Sequence, residues 1–108
     1  MEVNLAALNE ELAGEISLLE PFGTANPEPL FYTSNLRLKE EPQVLSRDTL
    51  KFWVTDGAIT RPVIGFGMGS LYGSLINCTQ LEMVYTPRID NWLDKHSLIL
   101  EAKEIFFR

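Results

Sequence analysis

The sequence predicts a mainly β fold: a small barrel of five short strands, with a short helix between the third and fourth, preceded by an α-helix and a proline-rich connector. Three observations predict it. From residue 30 onward, apolar and polar residues alternate with a period of two in several short stretches. Asp, Gly and Pro punctuate those stretches as turn residues do. Apolar spacings of three and four are confined to the first twenty residues and to residues 70–77.

The chain has 108 residues, 45% of them hydrophobic, a size that suits one domain burying about two-thirds of its unfolded surface. Residues 1–20 read as an amphipathic acidic helix. Leu5, Leu8, Leu12, Ile16 and Leu19 share one face, Glu10, Glu11 and Glu15 lie largely opposite, and Asn4 suits an N-cap. Gly14 weakens its middle by up to about 1 kcal/mol relative to Ala. Residues 21–30 read as a stiff connector, because Pro21, Gly23, Pro27 and Pro29 stop the helix and favour extended backbone. The apolar stripe then packs on its own domain or joins it to something upstream. Such a start is what a piece excised from a longer chain would show.

Residues 31–108 read as the barrel. In the first strand, Leu36 and Leu38 point one way and Arg37 and Lys39 the other. Pro42 forces a bulge or an unpaired edge position. In the second, Leu50, Phe52 and Val54 oppose Lys51, Trp53 and Thr55, before an Asp56-Gly57 turn. A third strand spans 61–66, and Leu71, Tyr72, Leu75 and Ile76 suggest one or two helical turns. A fourth strand carries Leu81, Met83 and Tyr85, residues 87–96 read as a loop, and a fifth spans 98–105. Three strands, a short helix and two strands is the element order of an OB-fold-like barrel, which the helical connector favours over an SH3-like one.

The net charge of −6 argues at first against nucleic acid, whose phosphates are bound mainly by Lys and Arg. The acidity is local, however. Residues 1–30 hold six acidic residues and no base, leaving nine acids and nine bases in the rest. No apolar run approaches the roughly twenty residues of a membrane span, and nothing resembles a signal peptide. A single cysteine, Cys78, forms no internal disulfide and fits a reducing, cytoplasmic setting.

The segment Leu19-Glu20-Pro21-Phe22-Gly23-Thr24-Ala25-Asn26-Pro27-Glu28-Pro29 resembles the LxPFGxGNPEP signature of the RecJ family of single-strand-specific exonucleases. Leu50-Lys51-Phe52 resembles that family's HLKL strand and Val63-Ile64-Gly65-Phe66 its AIxF strand. Tyr85, Asn91-Trp92 and the stretch from Ser97 to Ile105 look like its closing Y…NxWNG…LQLxVKDI pattern. Ala25, Thr49, Leu93-Asp94 and Ile99 depart from it, in loops and on the surface. The resemblance implies a C-terminal OB domain following catalytic DHH and DHHA1 modules. It implies a cytoplasmic parent hydrolysing single-stranded DNA from 5′ to 3′ in repair and recombination, with Mn or Mg in its catalytic module.

This chain carries no DHH sequence and no catalytic constellation. A two-metal site needs several carboxylates and imidazoles around ions about 4 Å apart, and His96 has no second His beside it. Cys78 has no partner at nucleophile spacing and reads as a packed thiol. Gly65, Gly67 and Gly69 are not followed by the Lys-Ser/Thr of a phosphate loop. No metal or other cofactor is expected in the chain itself.

What the barrel could hold is single-stranded DNA, through cations along the backbone and aromatics stacking on bases. The candidate residues are Arg37, Lys39, Lys51 and Trp53 on the first two strands, with Arg61 at the far side of the hairpin. Trp92, flanked by Arg88 and Lys95, is a second stacking point. Glu40, Glu41, Asp48, Asp90 and Asp94 dilute this positive charge, so micromolar or weaker, salt-sensitive binding is expected. The rival expectation is an interaction or scaffold module, docking through the apolar stripe and Trp53.

Overall fold

Leu50, Phe52 and Val54 are completely buried, whereas Lys51, Trp53 and Thr55 between them keep solvent contact. This pleat orients the whole sheet. The computed structural model describes residues 2–18, 28–90 and 97–108. The strands are Phe31–Leu38 (β1), Gln43–Leu45 (β2), Thr49–Thr55 (β3), Thr60–Gly65 (β4), Leu81–Asp90 (β5) and Ser97–Phe107 (β6). Helices span Glu10–Ser17 (α1) and Tyr72–Asn77 (α2), with 3-10 turns at Leu5–Ala7, Ser46–Asp48 and Gly69–Leu71.

The strands run β1-β5-β6-β4-β3-β2, and a further β1–β3 pairing closes the ring. The β4–β6 pair is parallel, with Val63 opposite Leu100, and the other ladders are antiparallel. With α2 crossing between β4 and β5, this is an OB-fold-like barrel. β1 pairs with β3 at Arg37↔Thr55 and Leu38↔Val54, and β2 resumes at Gln43↔Lys51, two residues out of register. β2 is therefore the continuation of the first strand beyond a bulge at Glu40, Glu41 and Pro42. The sixth strand is half of the first of the expected five, broken where Pro42 stands.

Two boundaries differ from the sequence expectation. Asn4 caps only the 3-10 turn, accepting from the Ala7 amide at 3.1 Å, and α1 is capped by Asn9, which accepts from the Leu12 amide at 2.7 Å. One helix thus becomes two short pieces, because Asn9 satisfies an amide that a continuous helix would bond internally. Residues 87–90, expected in a loop, extend β5 against β6. Pro87 is tolerated there because β1 pairing ends at Tyr85, so that neighbour has no use for its missing N–H.

The apolar stripe packs on its own barrel. Leu5, Leu8, Ala13 and Ile16 join Phe31, Val54, Tyr85 and Leu98 in one buried cluster, and Leu19 lies outside the described residues. Glu2 bridges to Tyr32, and the Val3 amide donates to the Tyr32 carbonyl at 2.9 Å. Thr33 then ties this edge to the core: its hydroxyl meets the Val3 carbonyl at 2.8 Å and the Tyr85 hydroxyl at 2.7 Å. Pushing four apolar residues against the barrel supplies roughly 1.5–3 kcal/mol for each large one fully buried.

Candidate nucleic-acid interface

The β3–β4 hairpin sets the site. Asp56 accepts from the Ala58 and Ile59 amides at 2.9 and 2.8 Å, and Gly57 takes the positive φ of 101° that the turn requires. Those bonds, from Ile59 first and then Ala58, hold the Asp56 carboxyl below its ordinary pKa. The four-residue connection puts Thr55 opposite Thr60 and Trp53 opposite Pro62. Across the other edge, the Lys39 amide donates to the Trp53 carbonyl at 2.9 Å.

The outer face of β1, β3 and β4 is thus a grid of three rows. Arg37, Thr55 and Thr60 form one, Lys39, Trp53 and Pro62 the next, and Gln43, Lys51 and Ile64 the third. Trp53 is 36% exposed, so the N-terminal segment does not cover it. Among the described residues, no ion pair engages Arg37, Lys39 or Lys51. Of the neighbouring acids, Glu41 is engaged elsewhere: it accepts from the Tyr72 hydroxyl at 3.0 Å, a bond that raises the phenol's pKa. Aromatic surface flanked by unpaired cations is the chemistry of single-strand binding.

The remaining candidates lie elsewhere. Arg61 is opposite Val54, on the inward-facing register. Its Nη2 donates to the Leu8 carbonyl at 3.2 Å, and its Nε is buried without a partner. Arg61 therefore fastens the N-terminal segment and does not share the Trp53 face, because strand parity turns residues 61, 63 and 65 inward together. Arg88 pairs with Glu28 and Glu101, and Lys103 pairs with the same two carboxylates. Its charge is spent holding Glu28 against the β5–β6 ribbon, beside the Thr86 hydroxyl donating to the Pro29 carbonyl at 2.7 Å. Trp92, Lys95 and His96 lie outside the described residues. Pro62 and Gln43, not singled out from sequence, flank Trp53 and Lys51; hairpin register about Asp56-Gly57 is the signal that finds Pro62.

Cys78 donates its thiol to the Leu75 carbonyl at 3.1 Å, and burial pushes its pKa up, away from nucleophilic thiolate. Among the described residues, no three His, Cys, Asp or Glu side chains converge to hold a metal. No described helix is long and apolar enough to cross a membrane.

A family model described as the RecJ OB domain matches residues 1–104. The chain belongs to the RecJ OB-domain family. The match takes in the helical segment that packs on the barrel as well as the strands. Two crystal structures of RecJ from Thermus thermophilus resemble it, one in complex with Mn2+ at a TM-score of 0.65 and one with Mg2+ at 0.63. Each is 25% identical over 91% of this chain, which spans only 14% of the RecJ chain. A putative aspartyl-tRNA synthetase from Leishmania major Friedlin shares the fold, with a TM-score of 0.60 at 8% identity over 99% of this chain and 20% of its own. No curated protein matches the chain. A RecJ-type OB domain is the non-catalytic module of a nuclease family.

Proposed function

We propose that this domain binds single-stranded DNA within a RecJ-type 5′–3′ exonuclease of the cytoplasm that serves DNA repair and recombination. It helps to clamp the strand and guide it toward upstream DHH and DHHA1 modules, where Mn or Mg supplies the hydrolytic chemistry. The observation that carries this reading is the exposed Trp53 set among Arg37, Lys39 and Lys51, cations that no carboxylate pairs with among the described residues. The bases Arg88 on β5, Lys103 on β6 and Arg108 just beyond β6 support it by contrast: each is paired with a carboxylate.

Trp53 would stack on a base, with Pro62 and Ile64 extending the apolar floor. Arg37, Lys39 and Lys51 would meet phosphates along one side. Few cations make the affinity micromolar or weaker and sensitive to salt. The scaffold alternative loses its docking stripe, since Leu5, Leu8 and Ile16 are buried in the domain itself. Titrating a labelled oligothymidylate at low salt tests the proposal. Saturable binding that exceeds binding to duplex supports it; no change in anisotropy, or equal binding to duplex, overturns it.

A further inference from the structure

The turn joining β2 to β3 holds a charge that the grid above does not use. Ser46–Asp48 closes the hairpin, and both Arg47 (φ 61°) and Asp48 (φ 58°) adopt left-handed backbone. Glycine is the residue that takes this conformation freely, and asparagine or aspartate tolerates it. An arginine there is held against its own preference, the sort of local strain that accompanies binding sites. Arg47 is exposed, and no described carboxylate pairs with it. Asp48, the acid beside it, packs its carboxylate onto Gly69, where any Cβ would collide with it. The hairpin tip is thereby anchored to the segment before α2.

The two ends of the Trp53 face differ in charge. Beyond Arg37 lies a polar groove lined by residues including Glu2, Ser34, Asn35 and Asp56, whose carboxylates repel phosphate. Beyond Lys51, past Leu50 and Thr49 at the start of β3, the chain reaches the Ser46–Asp48 turn that carries Arg47.

Resting on the single-strand reading above, we infer that Arg47 is a phosphate-binding residue. It extends the cation track of Arg37, Lys39 and Lys51 to the β2–β3 tip, and the strand leaves the face at that end and not over Glu2 and Asp56. The anchored turn fixes the guanidinium's base before DNA arrives, which lowers the ordering cost of binding.

Arg47→Gly tests this cleanly, because glycine removes the side chain while suiting the left-handed backbone. With the full chain and oligothymidylate, affinity at low salt is expected to fall several-fold. The slope of log affinity against log salt should lose about 0.7, the share of one phosphate contact on single strands. The melting temperature should hold or rise, and Arg47→Lys should restore most of the slope. Unchanged affinity and slope in Arg47→Gly, with Trp53→Ala still weakening binding, overturns this inference alone. No binding by the unsubstituted chain overturns it together with the single-strand reading.

Discussion

Lys39 and Trp53 face one another across the β1–β3 ladder, joined by the Lys39 amide donating to the Trp53 carbonyl at 2.9 Å. The pairing places an ammonium-bearing side chain beside an indole that is 36% exposed. Trp53→Ala is predicted to weaken oligothymidylate binding by about 1–3 kcal/mol, the typical worth of one stacked base. The melting temperature should move little, since the indole is not part of the core. Lys39→Ala should weaken binding less and lower the salt slope by about 0.7. Anisotropy titrations at several salt concentrations measure both.

The Glu28–Arg88–Glu101–Lys103 network should act on stability and leave DNA affinity unchanged. Burial works to raise the Glu101 carboxyl, but hydrogen bonds from Lys103 and Arg88, with their charges, outweigh it and hold its pKa low. A depressed carboxylate stabilises the fold above the ordinary Glu range, and that contribution is lost as pH falls through the depressed value. For Lys103, burial opposes the charge, yet bonds to Glu101 and Glu28 raise its pKa. Its contribution is present below the ordinary Lys range and lost as pH rises through the raised value. Glu101→Gln should therefore flatten the acid limb of stability against pH, at a cost of about 1–2 kcal/mol at neutral pH for a partly exposed network. Urea unfolding across the pH range reads it.

Tyr85 is fully buried and shares a 2.7 Å hydrogen bond with Thr33, while Phe31 meets its ring edge-on at a centroid distance of 6.3 Å. Tyr85→Phe keeps the packing and removes the bond, so a loss of about 1 kcal/mol is predicted. Burial raises the phenol's pKa, and the hydrogen bond shared with Thr33 works against that rise. Stability should then decline as pH rises from the ordinary tyrosine range through that raised value, and Tyr85→Phe should remove this part of the decline. Chemical denaturation near neutral and alkaline pH checks both.

Arg61→Met should be nearly silent in DNA binding, because Arg61 sits on the inward register and reaches Leu8. It should cost about 1 kcal/mol of stability or less, since losing the bond to the Leu8 carbonyl is offset by removing a buried Nε that has no partner. Leu5→Ala, by contrast, opens space in the cluster beneath the N-terminal segment and should cost about 2–5 kcal/mol. Parallel thermal melts and titrations separate the two effects.

Local pattern carries much of this domain. The period-two alternation through residues 50–55 puts Lys51 and Trp53 on one face, and Asp56-Gly57 marks the hairpin that aligns Trp53 with Pro62. Pro42 marks the break in the first strand. What escapes is non-local or masked by a single residue type. Arg88 finds Glu28 sixty positions away in sequence, a pairing that only the β5–β6 ribbon creates. Pro87 reads as the end of a strand because nothing local reveals that its missing donor falls past the end of β1. Arg61 reads as outward from its charge, although the parity of buried Val63 and Gly65 turns it inward.

The central claim is that Trp53 stacks on a base, and its own emission reports that most directly. In a Trp92→Phe chain, Trp53 is the sole tryptophan. Unlabelled oligothymidylate at low salt is predicted to quench its fluorescence saturably. Added salt should reverse the quenching, with a log–log slope of about −2.8 for the four phosphate contacts of Arg37, Lys39, Lys51 and Arg47. Emission that stays unchanged while a labelled strand binds would contradict the account.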